Sequence, residues 1–262
     1  MSEKLVKFPP ETSKQRVIAE VWFLFIMIIV FGIFGYYSSL DVNFTIIITI
    51  CCVINLVIRF ITVNQKGDWI FFLLGVVGGG GNDFMSMING VYYYTSIPII
   101  PNLALPLFMW LFWGQVFLLF RKIFNISWNK GKEFEKDGFL LKGWIDKKLL
   151  LDIGLIILLR IVIYNMYSLE FWIPALIYGI GILIRFLIFP PQKNELLIIA
   201  ILPYAFLFEG LMVMFGLYVY YNPFPLLLIP LWLMIWWVFL VPIFLKEIFD
   251  RVEYYLKKKG TV

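Results

Sequence analysis

Histidine is absent from all 262 residues of the sequence, and charged residues make up only 15% of it. Histidine is the commonest metal ligand and the commonest general base near neutral pH, so its absence argues against zinc, haem and Ser-His chemistry. We therefore expect neither a metal nor a cofactor. The sequence has two cysteines, Cys51 and Cys52, which are adjacent within an apolar run. Neighbouring side chains on a helix diverge, so we expect free thiols packed as small core residues.

Apolar residues dominate the sequence, at 62% of the chain with a mean hydropathy of +0.89. A soluble domain averages about 25% charged residues. Apolar runs of about 20 residues recur, which is the length that crosses a hydrocarbon core of ~30 Å. Backbone polar groups in lipid must be paired within the segment, so these runs predict an all-α membrane protein with eight transmembrane helices. The predicted spans are 19–38, 43–62, 68–91, 102–121, 148–166, 171–189, 195–218 and 224–246.

Lysine and arginine are distributed unevenly between the predicted loops. They are concentrated in the N-terminal tail, in the segment 121–148 and near the C-terminus, whereas the loops near 39–42, 92–101, 167–170 and 221–223 contain none. The positive-inside rule then predicts a multi-pass cell-membrane protein with both termini in the cytoplasm. The net charge of +5 suits contact with anionic lipid headgroups, and we expect no nucleic-acid partner. The polar N-terminal tail does not resemble a cleavable signal peptide.

An internal repeat relates the two halves of the chain. The stretch NDFMSMINGVYYY at 82–94 returns as FEGLMVMFGLYVY at 208–220, with an offset of 126 that also relates Arg59 to Arg185. An even number of spans in each copy keeps the copies parallel, so we predict a parallel duplication of a four-helix unit. The predicted domains are an N-terminal tail at 1–16, a first repeat at 17–121, a basic cytoplasmic linker at 122–147, a second repeat at 148–246 and a basic tail at 247–262.

Two acidic residues lie deep within predicted spans. Asp83 follows Asp68 by 15 residues, which places it about 22 Å along the helix, and Glu209 reaches a similar depth beyond Glu195. An ionisable side chain at such depth is costly, which makes both acids candidates for function. We expect the two acids to face one cavity. The alternative is that each acid only joins neighbouring helices through hydrogen bonds.

Arg160, Arg59 and Arg185 also lie within predicted spans. Arg160 aligns with an apolar residue of the first half, and a buried arginine needs an anion, so we predict an ion pair with Glu209. Asp83 would then be the protonated acid. The candidate catalytic residues are therefore Asp83, Glu209 and Arg160. Arg59 and Arg185 lie near cytoplasmic helix ends and are expected to extend to the interface.

Four consecutive glycines, in the stretch VVGGGGNDF at 76–84, precede Asp83. The second half has Tyr204, Ala205, Phe206 and Leu207 at the aligned positions. Small residues allow close helix packing in membranes, which is one interpretation. The other is missing volume, in which the glycines form the floor of an apolar cavity beside Asp83. On that second interpretation the predicted substrate-binding residues are Gly78, Gly79, Gly80, Gly81, Asn82, Tyr92, Trp110, Trp113, Tyr218 and Trp236. For the tyrosines and tryptophans, the alternative is core packing or an aromatic belt at the membrane interface.

The order of acid, glycine, aromatic pair, proline and tryptophan in 83–113 and 209–237 resembles the carotenoid-biosynthesis membrane proteins of the bisanhydrobacterioruberin hydratase type. The resemblance covers roughly a quarter of the chain and implies a role in carotenoid biosynthesis. The first acid is Asp, and Gly-Val-Pro does not precede the tryptophan. The residues it marks are Asp83, Gly90, Tyr92, Tyr94, Pro106 and Trp110, with Glu209, Gly216, Tyr218, Pro230 and Trp232.

Three functions remain open on the sequence. The first is a membrane hydratase, cyclase or isomerase that uses the buried carboxyl groups on a polyisoprenoid or carotenoid-like lipid. The second is a two-repeat transporter or channel in which Asp83 and Glu209 are proton or cation sites. The third is a structural membrane subunit. The aromatic-rich, histidine-free composition favours an apolar isoprenoid-like ligand over an ion, so the enzyme is preferred, with membrane lipid as its other partner.

Overall fold

A computed structural model describes residues 14–125, 145–192, 195–196, 202–224 and 228–258. These residues form eight helices. They are α1 (Lys14–Ser38), α2 (Val42–Thr62), α3 (Asp68–Ile88), α4 (Leu107–Phe124), α5 (Lys147–Met166), α6 (Trp172–Ile188), α7 (Leu202–Met214) and α8, whose consecutive segments are Leu231–Phe239, Leu240–Leu245 and Lys246–Lys258. Six of them are long and apolar enough to cross a membrane, and α6 is a shorter apolar helix. The predicted class, a mostly helical protein with several helices of membrane-spanning length, is thereby confirmed.

The observed helix boundaries modify the predicted spans. Helix α4 begins at Leu107 and not at 102, because Pro106 forms its N-cap. The predicted tail at 247–262 continues α8 as far as Lys258. Most of the predicted linker at 122–147, the start of the N-terminal tail and part of the seventh span, 197–201, lie outside the described residues.

Two short strands join the halves at one end of the helix bundle. Strand β1 (Tyr92–Tyr94) follows α3, and strand β2 (Tyr218–Tyr220) follows α7. They pair antiparallel, with Tyr92 opposite Tyr220 and Tyr94 opposite Tyr218. The predicted spans 68–91 and 195–218 therefore extend too far, since α3 ends at Ile88 and α7 at Met214. Each helix ends before its strand, and the turn between them uses a glycine in the left-handed region, Gly90 at φ 75° and Gly216 at φ 70°.

Local backbone features recur at positions that are 126 residues apart. The two turn glycines have this separation, as do the two strands and the ends of α3 and α7. Asn102 at φ 68° and Leu228 at φ 58° are also separated by it. Helix packing follows a related scheme, since α4 packs against α1, α2 and α3, and α8 packs against α6 and α7. The two helix-strand units, α3 with β1 and α7 with β2, thus share local geometry at the positions where their sequences agree.

Ion pairs are buried at the opposite end of the bundle from the strands. Asp68, at the start of α3, contacts three cations: Arg59 Nη2 and Arg121 Nη1 lie 2.6 Å from its carboxyl oxygens, and Lys122 Nζ lies 2.7 Å away. Arg59 also pairs with Glu20 of α1, and Arg121 pairs with Glu253 of α8 at 2.6 Å. This buried ion-pair cluster, defined by Glu20, Arg59, Asp68, Arg121, Lys122 and Glu253, ties together α1, α2, α3, α4 and α8.

The prediction that Arg59 and Arg185 extend to the membrane interface is wrong. Both side chains are buried, and Arg185 Nε lies 2.7 Å from Asp152 Oδ1 across the α5–α6 contact. A buried guanidinium requires an anion, and helices of the same half supply one in each case. Cys51 and Cys52 are both free, and Cys52 is buried, as the sequence predicted.

Candidate functional site

A cavity of about 560 Å³ lies between α1, α4, α7, α8 and the strand pair. Its volume falls within the ~300–1,000 Å³ typical of small-molecule sites. The cavity wall on α4 extends from Met109 to Phe124, a distance of about 22 Å along the helix axis. Its polar residues are at the strand end and comprise Asp83, Glu209, Tyr92, Tyr94, Tyr218 and Tyr220. The site is therefore a long apolar cavity with one polar end.

Asp83 is held at this polar end by two hydrogen bonds that reach the same oxygen. The indole Nε1–H of Trp113 donates to Oδ2 at 2.6 Å, and the Tyr94 hydroxyl donates to Oδ2 at 3.0 Å. The Tyr92 hydroxyl also interacts with this carboxyl group. Asp83 is only 6% exposed, and it lines the cavity. The carboxyl group of Asp83 therefore borders the space that a ligand would occupy.

Glu209 lies on the same cavity and is held by its own strand. The Tyr218 hydroxyl donates to Glu209 Oε2, and Tyr220 also interacts with this carboxyl group. Asp83 is close enough for the two acids to influence each other electrostatically. Both acids therefore face one cavity. The part of the chain that the structure describes contains no group of three Cys, Asp or Glu side chains able to hold a metal ion.

The four tyrosines form a packed aromatic layer over the acids. Alternation along the strands places Tyr92, Tyr94, Tyr218 and Tyr220 on one buried face, whereas Tyr93 is exposed. Ring centroids are 5.0 Å apart for Tyr92 and Tyr220, and 5.1 Å apart for Tyr94 and Tyr218. The strand pair thus supplies hydroxyl donors to the carboxyl groups and covers that end of the cavity with aromatic rings.

The prediction that the glycines of α3 make the cavity floor is wrong, because none of them lines the cavity and Gly75, Gly79 and Gly80 pack closely against α4. A Cβ at Gly79 would lie 2.5 Å from the Trp113 ring, and one at Gly80 would lie 2.5 Å from the Trp110 ring. The turn is widened, because Gly75–Gly80 is a π-helical segment. Trp113 lies across Gly79 and so reaches Asp83. Gly79 therefore makes room for the Trp113 indole, which in turn hydrogen-bonds to Asp83 and holds it in place.

Alanine at Gly79 and alanine at Gly81 are expected to have opposite effects on stability. Both changes remove glycine from a helix, which favours folding by up to about 1 kcal/mol. At Gly79 the new methyl overlaps the Trp113 ring, and such overpacking typically costs about 1–3 kcal/mol, whereas nothing lies within 4 Å at Gly81. Unfolding in mixed detergent micelles would measure both. Equal effects of the two variants would contradict the packing role of Gly79.

Arg160 makes no ion pair with Glu209 in the described structure, so that prediction is wrong. Its Nη1 donates to Ser86 Oγ at 3.2 Å, and its guanidinium lies 4.5 Å from the centroid of the Trp236 ring. An aromatic face attracts a cation, so the Trp236 ring supplies part of the stabilisation that a paired anion would give to Arg160. Glu209 instead accepts a hydrogen bond from the Tyr218 hydroxyl. Arg160 still influences Asp83 electrostatically, but it does not line the cavity.

The predicted site residues divide into two groups. Those on the cavity are Asp83, Glu209, Tyr92, Trp113 and Tyr218. Those that the structure places elsewhere are Arg160, Gly78, Gly79, Gly80, Gly81, Asn82, Trp110 and Trp236. Trp236 faces away from the cavity toward Arg160, and its neighbour Trp237 takes the wall position. Trp237 and Tyr220 were absent from the predicted set, although the repeat relates them to Trp113 and Tyr94.

No protein-family model, curated protein or solved structure matches this chain. The fold and the site therefore define the class: a helical multi-pass membrane protein whose internal apolar cavity ends at two carboxyl groups beneath a tyrosine layer.

Proposed function

We propose that this protein is an integral membrane enzyme that performs acid-base chemistry on the double bonds of a polyisoprenoid or carotenoid-like lipid. The observation that carries the proposal is the placement of Asp83 and Glu209 together at the polar end of a long apolar cavity. Such a cavity fits an apolar chain, and the paired acids suit proton donation and proton acceptance. Carotenoid biosynthesis, which the sequence resemblance implies, is one setting for this chemistry.

The proposed reaction begins with proton transfer from Asp83 to an alkene carbon. The π bond breaks as the new C–H bond forms, which leaves a carbocation on the neighbouring carbon and a carboxylate on Asp83. Aromatic faces of the cavity wall stabilise that positive charge. Glu209 then accepts a proton, either from a carbon next to the cation, which forms a new double bond, or from a water molecule that adds to the cation. The first route gives isomerisation directly, or cyclisation when a second double bond of the chain first attacks the cation, so that its π electrons form the new C–C bond and the charge moves to its far carbon. The second route gives hydration.

The geometry of Asp83 suits the donor role. Trp113 and Tyr94 donate to Oδ2 and hold the carboxyl group on the cavity wall, where a proton that it carries can meet the ligand. The tyrosine layer favours this enzyme over a transporter, because the packed rings cover the cavity immediately beyond the acids. A transported ion would have to pass through that layer.

Two features of architecture are part of the proposal. The recurrence of backbone geometry at 126-residue intervals supports a parallel duplication of a four-helix unit, with repeats at 17–121 and 148–246. The distribution of lysine and arginine supports a cell-membrane location with both termini in the cytoplasm. In this orientation the acids lie in the outer half of the bilayer, and the apolar end of the cavity points toward the cytoplasm.

Deuterium incorporation from solvent tests the proposed chemistry without knowledge of the natural substrate. Protein in lipid nanodiscs would be incubated in D₂O with lycopene, squalene or geranylgeraniol as probe, and the recovered lipid analysed by mass spectrometry. Alkene protonation followed by loss of a proton leaves deuterium on carbon, and hydration leaves it there permanently. We expect incorporation into at least one probe above the level of protein-free nanodiscs. Absence of incorporation into all three would contradict the proposal.

We propose that such a lipid enters the cavity laterally, between α1 and α7. At the strand end the helices are in close contact, since a Cβ at Gly35 would lie 2.9 Å from the Phe215 carbonyl oxygen. Toward the other end, Val21 and Leu207 line the cavity while remaining 49% and 63% exposed. Residues that line the cavity and also face the lipid mark the opening.

Tryptophan at Val21 is expected to slow the entry of an apolar ligand severalfold, because the larger ring narrows this opening. The measurement is the rate at which retinol, a fluorescent isoprenoid alcohol, transfers from vesicles to the protein. Ile18→Trp is the matched control, since Ile18 lies one turn away on α1, is 55% exposed and does not line the cavity. Equal rates for the two variants would show that ligands enter elsewhere.

A further inference from the structure

Arg160 carries a positive charge within a spanning helix but forms no ion pair with a described residue. Arg59 and Arg185, which also lie in apolar helices, are each 2.6–2.7 Å from a buried aspartate. Arg160 instead donates to Ser86 Oγ at 3.2 Å and lies over the Trp236 ring. Both of these partners are neutral. An arginine in the membrane is costly without an anion, so this charge needs an explanation.

The Arg160 guanidinium lies near the end of the helix bundle that carries the strands. Its partner Ser86 is two residues, or about 3 Å, before the end of α3 at Ile88. An arginine near a helix end can place its charged group at the level of the lipid headgroups. Nη1 is bonded to Ser86, whereas Nη2 has no hydrogen bond among the described residues and is not one of the enclosed, unpaired atoms. One edge of the guanidinium is therefore accessible to an anion.

The surface beside Arg160 is apolar and faces outward. Ile157, one turn before it on α5, and Ile161, next to it, are each 55% exposed. One further turn along α5, a Cβ at Gly154 would meet nothing within 4 Å. Exposed apolar side chains on a membrane helix lie against lipid chains, which are equally apolar. Arg160 does not line the cavity, so this surface is separate from the site of the proposed chemistry.

A phosphate group is the anion that fits these surroundings. The planar guanidinium of arginine binds phosphate oxygens through paired N–H donors. Asp83 attracts Arg160 without contact, and its carboxyl group is held by other donors. Phospholipids bring phosphate groups to the ends of membrane helices, and their acyl chains match the exposed isoleucines.

We propose that Arg160 binds the phosphate group of an anionic phospholipid on the lipid-facing surface of α5, with the acyl chains along Ile157 and Gly154. The lipid lies in the leaflet at the strand end and supplies the anion that the described chain does not provide at this position. This inference goes beyond the proposed function and does not depend on it, because the surface is separate from the cavity.

Native mass spectrometry of the full-length protein in delipidated detergent micelles tests this site. The probes are dioleoylphosphatidylglycerol, dioleoylglycerol, which has the same chains without phosphate, and inorganic phosphate, which has no chains. Wild type, Arg160→Gln, Arg160→Lys and Arg16→Gln would be compared. Arg16 is an exposed arginine at the opposite end of the bundle, so its variant is the matched control for the loss of one positive charge.

We expect wild type to bind phosphatidylglycerol, and Arg160→Gln to bind it roughly 10- to 100-fold more weakly, the value of a hydrogen bond to a charged group. Arg160→Lys should lose less affinity because it keeps the charge, and Arg16→Gln should bind like wild type. In ¹⁵N NMR spectra, the arginine Nε–H cross-peak that is missing from Arg160→Gln should move on addition of phosphatidylglycerol and stay in place with dioleoylglycerol.

Wild-type affinity of Arg160→Gln for phosphatidylglycerol would overturn the site, and so would equal binding of dioleoylglycerol and phosphatidylglycerol by wild type. Saturation by inorganic phosphate at the same concentration as by phosphatidylglycerol would overturn the lipid as the occupant. A wild-type spectrum in which no arginine cross-peak responds to phosphatidylglycerol would overturn the site without recourse to a variant, and so covers the case in which Arg160→Gln does not fold.

Discussion

Replacement of Asp68 by alanine is expected to destabilise the protein by about 3–5 kcal/mol, the typical cost of breaking a buried ion pair by removing one partner. Asp68 is fully buried, and its two oxygens contact Arg59, Arg121 and Lys122 at 2.6–2.7 Å. Without the carboxylate, three cations share the remaining anions, Glu20 and Glu253. The loss would appear as a lower free energy of unfolding in mixed detergent micelles.

Asp41→Ala is the control for this prediction. Asp41 is an exposed N-cap of α2 whose carboxylate accepts a hydrogen bond from Asn43 N at 2.9 Å. Its loss should cost only about 1 kcal/mol. A second variant, Asp68→Ala combined with Lys122→Met, should recover part of the lost stability, because it removes one of the unpaired cations. If Asp68→Ala is no worse than Asp41→Ala, the buried ion-pair cluster does not hold the helices together.

Replacement of Asp83 by asparagine is expected to reduce deuterium incorporation by about 10²–10⁴-fold, the usual effect of losing a general acid or base. Asparagine has nearly the same shape, and its side-chain oxygen can still accept hydrogen bonds from Trp113 and Tyr94 at the position of Oδ2. Its amide group cannot donate a proton to an alkene. Binding of retinol should therefore persist while turnover falls.

Asp41→Asn serves as the control for turnover, because the side chain is exposed and asparagine is an equally good N-cap. Glu209→Gln should also reduce incorporation, since the proposed mechanism needs a proton acceptor as well as a donor. Wild-type incorporation by Asp83→Asn would remove the acid role of this residue. Loss of retinol binding in the same variant would show that Asp83 shapes the cavity, so that reduced turnover alone would not support proton transfer.

The membrane architecture could be predicted because it follows from composition over long windows. Runs of about 20 apolar residues must be helical in lipid, and the helices α1 to α6 lie where these runs occur. The shared cavity of Asp83 and Glu209 was also predictable. Their matched positions in the repeat placed them at the same depth, and the cost of burying an acid indicated that each would face the protein interior.

The strand pair was not predictable, because three residues carry too little pattern to separate a strand from a helix end. Strand β1 (Tyr92–Tyr94) pairs with strand β2 (Tyr218–Tyr220), so each partner lies in the other half of the chain. A tyrosine at a membrane boundary usually indicates an interfacial belt. Only the meeting of the two halves converts these tyrosines into a buried layer over the acids.

The sequence by itself determined that the chain forms apolar helices, that two acids are buried at equal depth and that an arginine lies among them. Tertiary structure decided the partners. Gly79 accommodates Trp113 instead of a ligand, Arg160 lies over Trp236 instead of beside Glu209, and Arg59 meets Asp68. The physical reason is that the sequence shows how deep a side chain lies but not the direction in which it points. Depth follows from counting residues along a helix, whereas the face that a side chain presents to a neighbour depends on how helices rotate and pack, which includes the π-helical turn at Gly75–Gly80.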